Sequence, residues 1–208
     1  MLVNTHKLIG NMLLDQLDLN KYEMLKSNSF LWGNIKPDCA SKYKFKKHYQ
    51  EESFEMITKK IEFLSSLTLD DLGYVYNIGK FNQELGVICH FLCDFFCVPH
   101  YERWEFKSAD ATKRHIIYER ELNKYSKDYR FKSETFNDFK IDDIDTFLLS
   151  FLDEYKEEQD YRNDLSYAYF ICYNVLNSIL SNVVRNSKNR KYITILGCTA
   201  TKKFNIAY

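Results

Sequence analysis

The stretch LGVICHFLCDFFCVPH, Leu85 to His100, decides the reading of this chain. Apolar residues here and just upstream recur three and four apart, which predicts a helix over Phe81 to Phe96. On such a helix His90 and Asp94, four residues apart, project from one face within reach of a single ion. Pro99 ends the helix and lets the chain turn, so that His100 is aimed back toward the same region. An acid such as Asp94 in so apolar a context is costly to bury without a cation. Cys89, Cys93 and Cys97 lie about 100° around the helix from the His90/Asp94 face, and read as small core residues rather than thiolate ligands.

Outward from this run, His115 and Glu119 form a second pair at the same spacing on the next predicted helix. A lone His/acid pair is most often a surface salt bridge. Two in succession, in a chain whose five histidines are His6, His48, His90, His100 and His115, point to a metal site instead. Zinc takes neutral imidazole nitrogen and carboxylate oxygen at about 2.0 to 2.2 Å, and a helical pair supplies two such donors at little entropic cost.

The same period marks helices at Leu8 to Leu17, Phe54 to Leu67, Ile116 to Tyr125, Ile144 to Tyr155 and Leu165 to Val184, with caps expected at Asn4, Asp110, Asp143 and Asn163. Two prolines and six glycines leave few breaks, and strand-like alternation is nearly absent. The expected fold is therefore all-α. At 208 residues with 45 % hydrophobic content, one domain over 1–208 is the expectation. Loops are expected at Asn28 to Tyr49, Pro99 to Ala109 and Tyr129 to Asp142, and residues 192–208 as an irregular or docked tail.

Lys+Arg and Asp+Glu balance at 29 each, which argues against a polybasic module for nucleic acid or anionic membrane. No apolar run reaches the roughly 20 residues of a membrane span. The opening MLVNTHKLIG shows no leader-like apolar run with a small-residue cleavage site, so a cytoplasmic chain with reduced thiols is expected. Lys42, Lys44, Lys46 and Lys47 read as a solvated loop face, with attraction of an anionic substrate as the alternative, and Trp32 and Trp104 either as core or as contacts for lipid or a nucleobase.

With these residues in view, the run L-G-x-x-x-H-F-x-x-D-x-x-x-x-P-H resembles the signature of the bacterial zinc-dependent phospholipases C, whose His, Asp and His fall at the same relative positions. Asn4-Thr5-His6 is similar to that family's Asn-(Ser/Thr)-His, and His115-Ile116-Ile117-Tyr118-Glu119 to its His-x-x-Tyr-Glu. Asp38, ten residues before His48, resembles its loop Asp/His pair. The proline falls one residue later than in the family.

The resemblance implies an all-α bundle around two or three zinc ions. Asp38, His48, His90 and Asp94 would hold one, and His100, His115 and Glu119 another. His6 and a bridging Asp94 would serve the third. In the family an N-terminal tryptophan completes that third site; here the Met1 amine, water or an unfilled position are the alternatives. The implied chemistry is phosphodiester hydrolysis by metal-activated water, with Asp38 as ligand and general base. Phe45 matches a pocket phenylalanine for a choline head group, whereas Cys39 replaces the family's tyrosine. The implied substrate is a phospholipid or related phosphodiester. The alternatives are a zinc-dependent nuclease on the same scaffold and a non-catalytic, metal-stabilised protein.

Overall fold

The structure, a computed structural model, describes residues 1–17, 24–39, 47–107, 110–130 and 141–204, with the backbone alone at 106 and 191–204. Nine α-helices lie among these residues, with no strand: α1 Val3–Gln16, α2 Ser27–Cys39, α3 Gln50–Ser66, α4 Leu69–Tyr74, α5 Ile78–Phe95, α6 Val98–Tyr101, α7 Ala111–Asp128, α8 Ile144–Tyr155 and α9 Tyr161–Phe204. A 3-10 turn, Trp104–Phe106, joins α6 to α7. None of the described helices is long and apolar enough to cross a membrane.

The all-α expectation holds, and α5 is its axis. Asn77 caps it by accepting the Gly79 and Lys80 amides at 2.8 and 3.1 Å. From Phe81 to Phe95 every residue but Gln83 is buried, because α1, α2, α3 and α9 pack around it. Each fully buried Leu, Ile or Phe in that helix contributes about 1.5 to 3 kcal/mol of transfer free energy. Pro99, at the start of α6, lacks the amide a continuing helix needs, so α5 ends and the chain turns through Phe96 and Cys97.

Three expectations need correction. The segment Pro99 to Ala109, expected as a loop, begins inside α6 and carries the 3-10 turn Trp104–Phe106. The segment from Asn28, expected as a loop, is helical as α2 through Cys39, even with Pro37 inside it. Packing imposes that helix. A Cβ at Gly33 would overlap the main chain of Gln83, and one at Gly86 would overlap the carbonyl of Phe30 and the amide of Asn34. The two backbones therefore touch, an approach that only glycine permits. Residues 192–204, expected as irregular or docked, continue the helical backbone of α9.

The caps divide. Asp143 accepts the Thr146 amide at 2.7 Å, as expected, while Asp110 stands at the head of α7 without a side-chain cap bond. α1 starts after Leu2 rather than at Asn4, and Asp160 rather than Asn163 caps α9, its Oδ1 accepting the Asn163 amide at 2.7 Å. Thr68 and Asp71 form a reciprocal capping box on α4. The five cysteines with described side chains, Cys39, Cys89, Cys93, Cys97 and Cys172, are all free, and all but Cys39 are buried. Cys198 lies outside the described side chains.

Candidate metal centre

Six segments bring donors to one place. The buried face of α1 contributes His6, the last turn of α2 Asp38, and the residues leading into α3 His48. α5 contributes His90 and Asp94, α6 His100, and α7 His115 and Glu119. Three groups have ligand atoms close enough to hold an ion: His6, Asp38 and His90; His48, His90 and Asp94; His100, His115 and Glu119. The eight expected residues thus come together, and His6 groups with Asp38 and His90 as well as lying near Asp94.

Asp94 joins the groups. Its Oδ2 lies 2.9 Å from His48 Nδ1 and 3.3 Å from His90 Nε2. Its Oδ1 lies 3.3 Å from His6 Nε2 and 3.7 Å from His100 Nε2, and contacts the amino group of Met1. That amino group is also 2.9 Å from Glu119 Oε1 and 3.2 Å from His100 Nε2. Glu119 Oε1 in turn lies 3.1 Å from both His100 Nε2 and His115 Nε2. Asp38 Oδ1 stands 3.6 Å from His90 Nε2 and 3.8 Å from His48 Nδ1.

A supporting layer aims these donors. His90 Nδ1–H donates to the Asn34 carbonyl at 2.9 Å, which turns Nε2 toward the carboxylates. Asn34 Nδ2 donates to the His6 carbonyl at 2.6 Å, tying α1 to α2. Glu105 Oε1 faces His115 Nδ1 at 3.7 Å, and Glu105 accepts the Tyr49 hydroxyl. Neither Asn34 nor Glu105 stood out in the sequence, because each acts from a segment expected to be irregular.

The electrostatics fit a cation. Burial penalises the Asp94 carboxylate, yet the Met1 amino group, His100, His6 and His90 hold its pKa well below the usual range. Burial opposes the Glu119 carboxylate as well, and there the Met1 amino group and hydrogen bonds from His100 and His115 lower it. Burial lowers His6 to about 3 and keeps it neutral. Both His6 ring nitrogens and His100 Nδ1 are buried without a hydrogen-bond partner. A buried, neutral imidazole beside two carboxylates suits a borderline-soft divalent ion, and the nitrogen and oxygen donors match zinc. His48 is raised because its bond to Asp94, with Asp38 nearby, outweighs burial; burial and the neighbouring Asp94 raise Asp38.

The centre opens into a cavity of about 330 Å³ bounded by Asp38, His48, Asp94, His100, His115 and Glu119, with Leu2, Val3, Glu105, Thr112 and Ile116 at its walls. No lysine or arginine stands among its described lining residues. A larger cavity of about 600 Å³ between α7, α8 and α9 contains no histidine. Trp104 packs edge-on against Tyr118. Phe45, expected at the substrate, lies outside the described residues, as do Lys42, Lys44 and Lys46.

A family model described as zinc dependent phospholipase C matches residues 5–165. No curated protein matches the chain, and neither does any solved structure.

Proposed function

Because the chain belongs to the zinc-dependent phospholipase C family, we propose that it is a zinc-dependent hydrolase of phosphodiesters, acting on a phospholipid or a related small phosphodiester. The observation that carries this reading is the meeting of eight imidazole and carboxylate donors, the buried Asp94 among them, at the floor of a cavity. His6, Asp38, His48, His90 and Asp94 would hold one part of the metal cluster, and His100, His115 and Glu119 the other. Zinc bound there supplies a Lewis acid for phosphoryl oxygens and lowers the pKa of water toward about 7.

The protein's own groups do the positioning. His90, held by the Asn34 carbonyl, keeps its Nε2 turned inward. Asp94 and Glu119 stay ionised at neutral pH and neutralise bound cations. Asp38, with 28 % of its side chain exposed at the cavity wall, is the carboxylate that would take a proton from an attacking water. Burial raises its pKa and with it its basicity. Among the described residues the cavity's lining is acidic, which suits a substrate held by metal.

The test is metal analysis of the purified protein alongside hydrolysis of a phosphocholine ester, a phosphate monoester and single-stranded DNA. Two or three zinc per chain, with diester cleavage abolished by a chelator, is the expected result. Cleavage of DNA alone would replace the proposed substrate with nucleic acid. Bound zinc without turnover on any substrate would overturn the enzymatic reading.

A further inference from the structure

Behind the His100, His115 and Glu119 group stands a buried carboxylate to which the metal centre gives no role. Asp164, in the first turn of α9, has no exposed surface. It receives the Tyr155 hydroxyl at 2.6 Å, the Tyr118 hydroxyl at 3.0 Å and the Val98 amide at 3.4 Å, and the Cys97 thiol is a further donor. Burial pushes its pKa up to about 7, and these donors pull the other way. A carboxylate at such a position is costly. For packing alone an apolar side chain would serve, since Leu165, Ala168 and Cys172 continue the same buried surface of α9.

The placement of the donors gives the carboxylate a purpose. Tyr118 lies on α7 between His115 and Glu119, and Val98 opens α6 two residues before His100. One carboxyl group therefore grips both segments that supply this group of ligands. Tyr155 comes from α8, which supplies none. We propose that Asp164 is a positioning residue for the ion held by His100, His115 and Glu119, fixing α6 against α7 through Val98 and Tyr118. The proposal rests on the reading that these three residues hold zinc.

The comparison of Tyr118→Phe with Tyr155→Phe tests it. Each removes one hydroxyl from Asp164 and keeps the ring, but only Tyr118 lies on a ligand-bearing helix. Zinc affinity is read by competition with a chromophoric chelator, and stability by thermal melting of the metal-free protein. Tyr118→Phe, like Asp164→Asn, is expected to weaken one class of zinc site about tenfold, in the range seen when groups supporting a ligand are lost, and to leave the remaining zinc unchanged. Tyr155→Phe is expected to lower the melting temperature without altering zinc affinity. Equal zinc effects from the two tyrosine variants, or none from either, would overturn the proposal, whether or not Asp164→Asn folds. His115→Ala separates the two layers of inference. If that variant binds as much zinc as the parent, the three residues hold no ion and the functional reading falls with the proposal. If it loses zinc while Tyr118→Phe does not, only the role of Asp164 is overturned.

Discussion

The two halves of the donor cluster are held by different forces. His6, Asp38 and His90 come from α1, α2 and α5, where two backbones meet through Gly33 and Gly86 and Asn34 bonds to both histidine-bearing helices. His100, His115 and Glu119 come from α6 and α7, which are tied from behind through the hydroxyls and amide gathered on Asp164. The first half is set by steric contact together with the Asn34 hydrogen bonds, and it resists enlargement at its two glycines. The second is set by hydrogen bonds and can be loosened one bond at a time.

Asp94, which touches both halves, is the point where the contrast breaks most severely. Asp94→Asn in metal-free protein is expected to cost about 3 to 5 kcal/mol, because it leaves the buried Met1 amino group short of its counter-charge. Urea unfolding measures this; a loss under about 1 kcal/mol would mean that the halves do not depend on their shared carboxylate.

Gly86→Ala probes the steric half alone. It forces a methyl group onto the α2 backbone, and a loss of about 1 to 3 kcal/mol is expected by the same measurement. An unchanged midpoint would show that the two backbones part at little cost.

Acid separates the halves by protonation. His6 is lowered by burial to about 3, whereas an unfolded histidine titrates near 6.5. Below about pH 6.5 the unfolded state binds the proton that the native state refuses. The contribution is therefore complete above that value and declines by about 1.4 kcal/mol per pH unit down to about 3. Asp94 and Glu119, both lowered, add a further loss below the ordinary carboxylate range. His48, raised, works in the opposite direction: its contribution is complete below 6.5 and is lost as pH rises through its native value. Stability of chelator-treated protein against pH should show the His6 slope, and His6→Gln should flatten it between pH 6 and about 4.5.

The smallest effect is a control on the glycine argument. A Cβ at Gly73, in α4, meets nothing within 4 Å, so Gly73→Ala is expected to gain about 0.5 kcal/mol by restricting the unfolded chain. A loss there would undermine the use of Gly86→Ala as a steric probe.

Some of this was legible in the residues because it is local. A period of 3.6 residues puts His90 beside Asp94 and His115 beside Glu119 whatever the rest of the chain does, and Pro99 stops α5 in any context. α2 was not legible, since Gly33 and Pro37 argue against a helix until the contact with α5 overrides local propensity. Asp164 left a trace, an acid at the head of the apolar stripe Leu165, Ala168 and Cys172, but its partners come from three other helices. Asn34 left none, because it acts through its main chain as well as its side chain.

The sequence by itself determined the longer helices other than α2 and the two His/acid pairs, since hydrogen bonds four residues apart and side-chain periodicity need only nearby residues. Tertiary structure decided that Met1, His6 and His48 reach Asp94, that Asp38 reaches His90, that α2 is helical at all, and that one buried carboxylate ties α6 to α7. Those outcomes depend on helices distant in the chain closing on one another, and only the packed core enforces that closure.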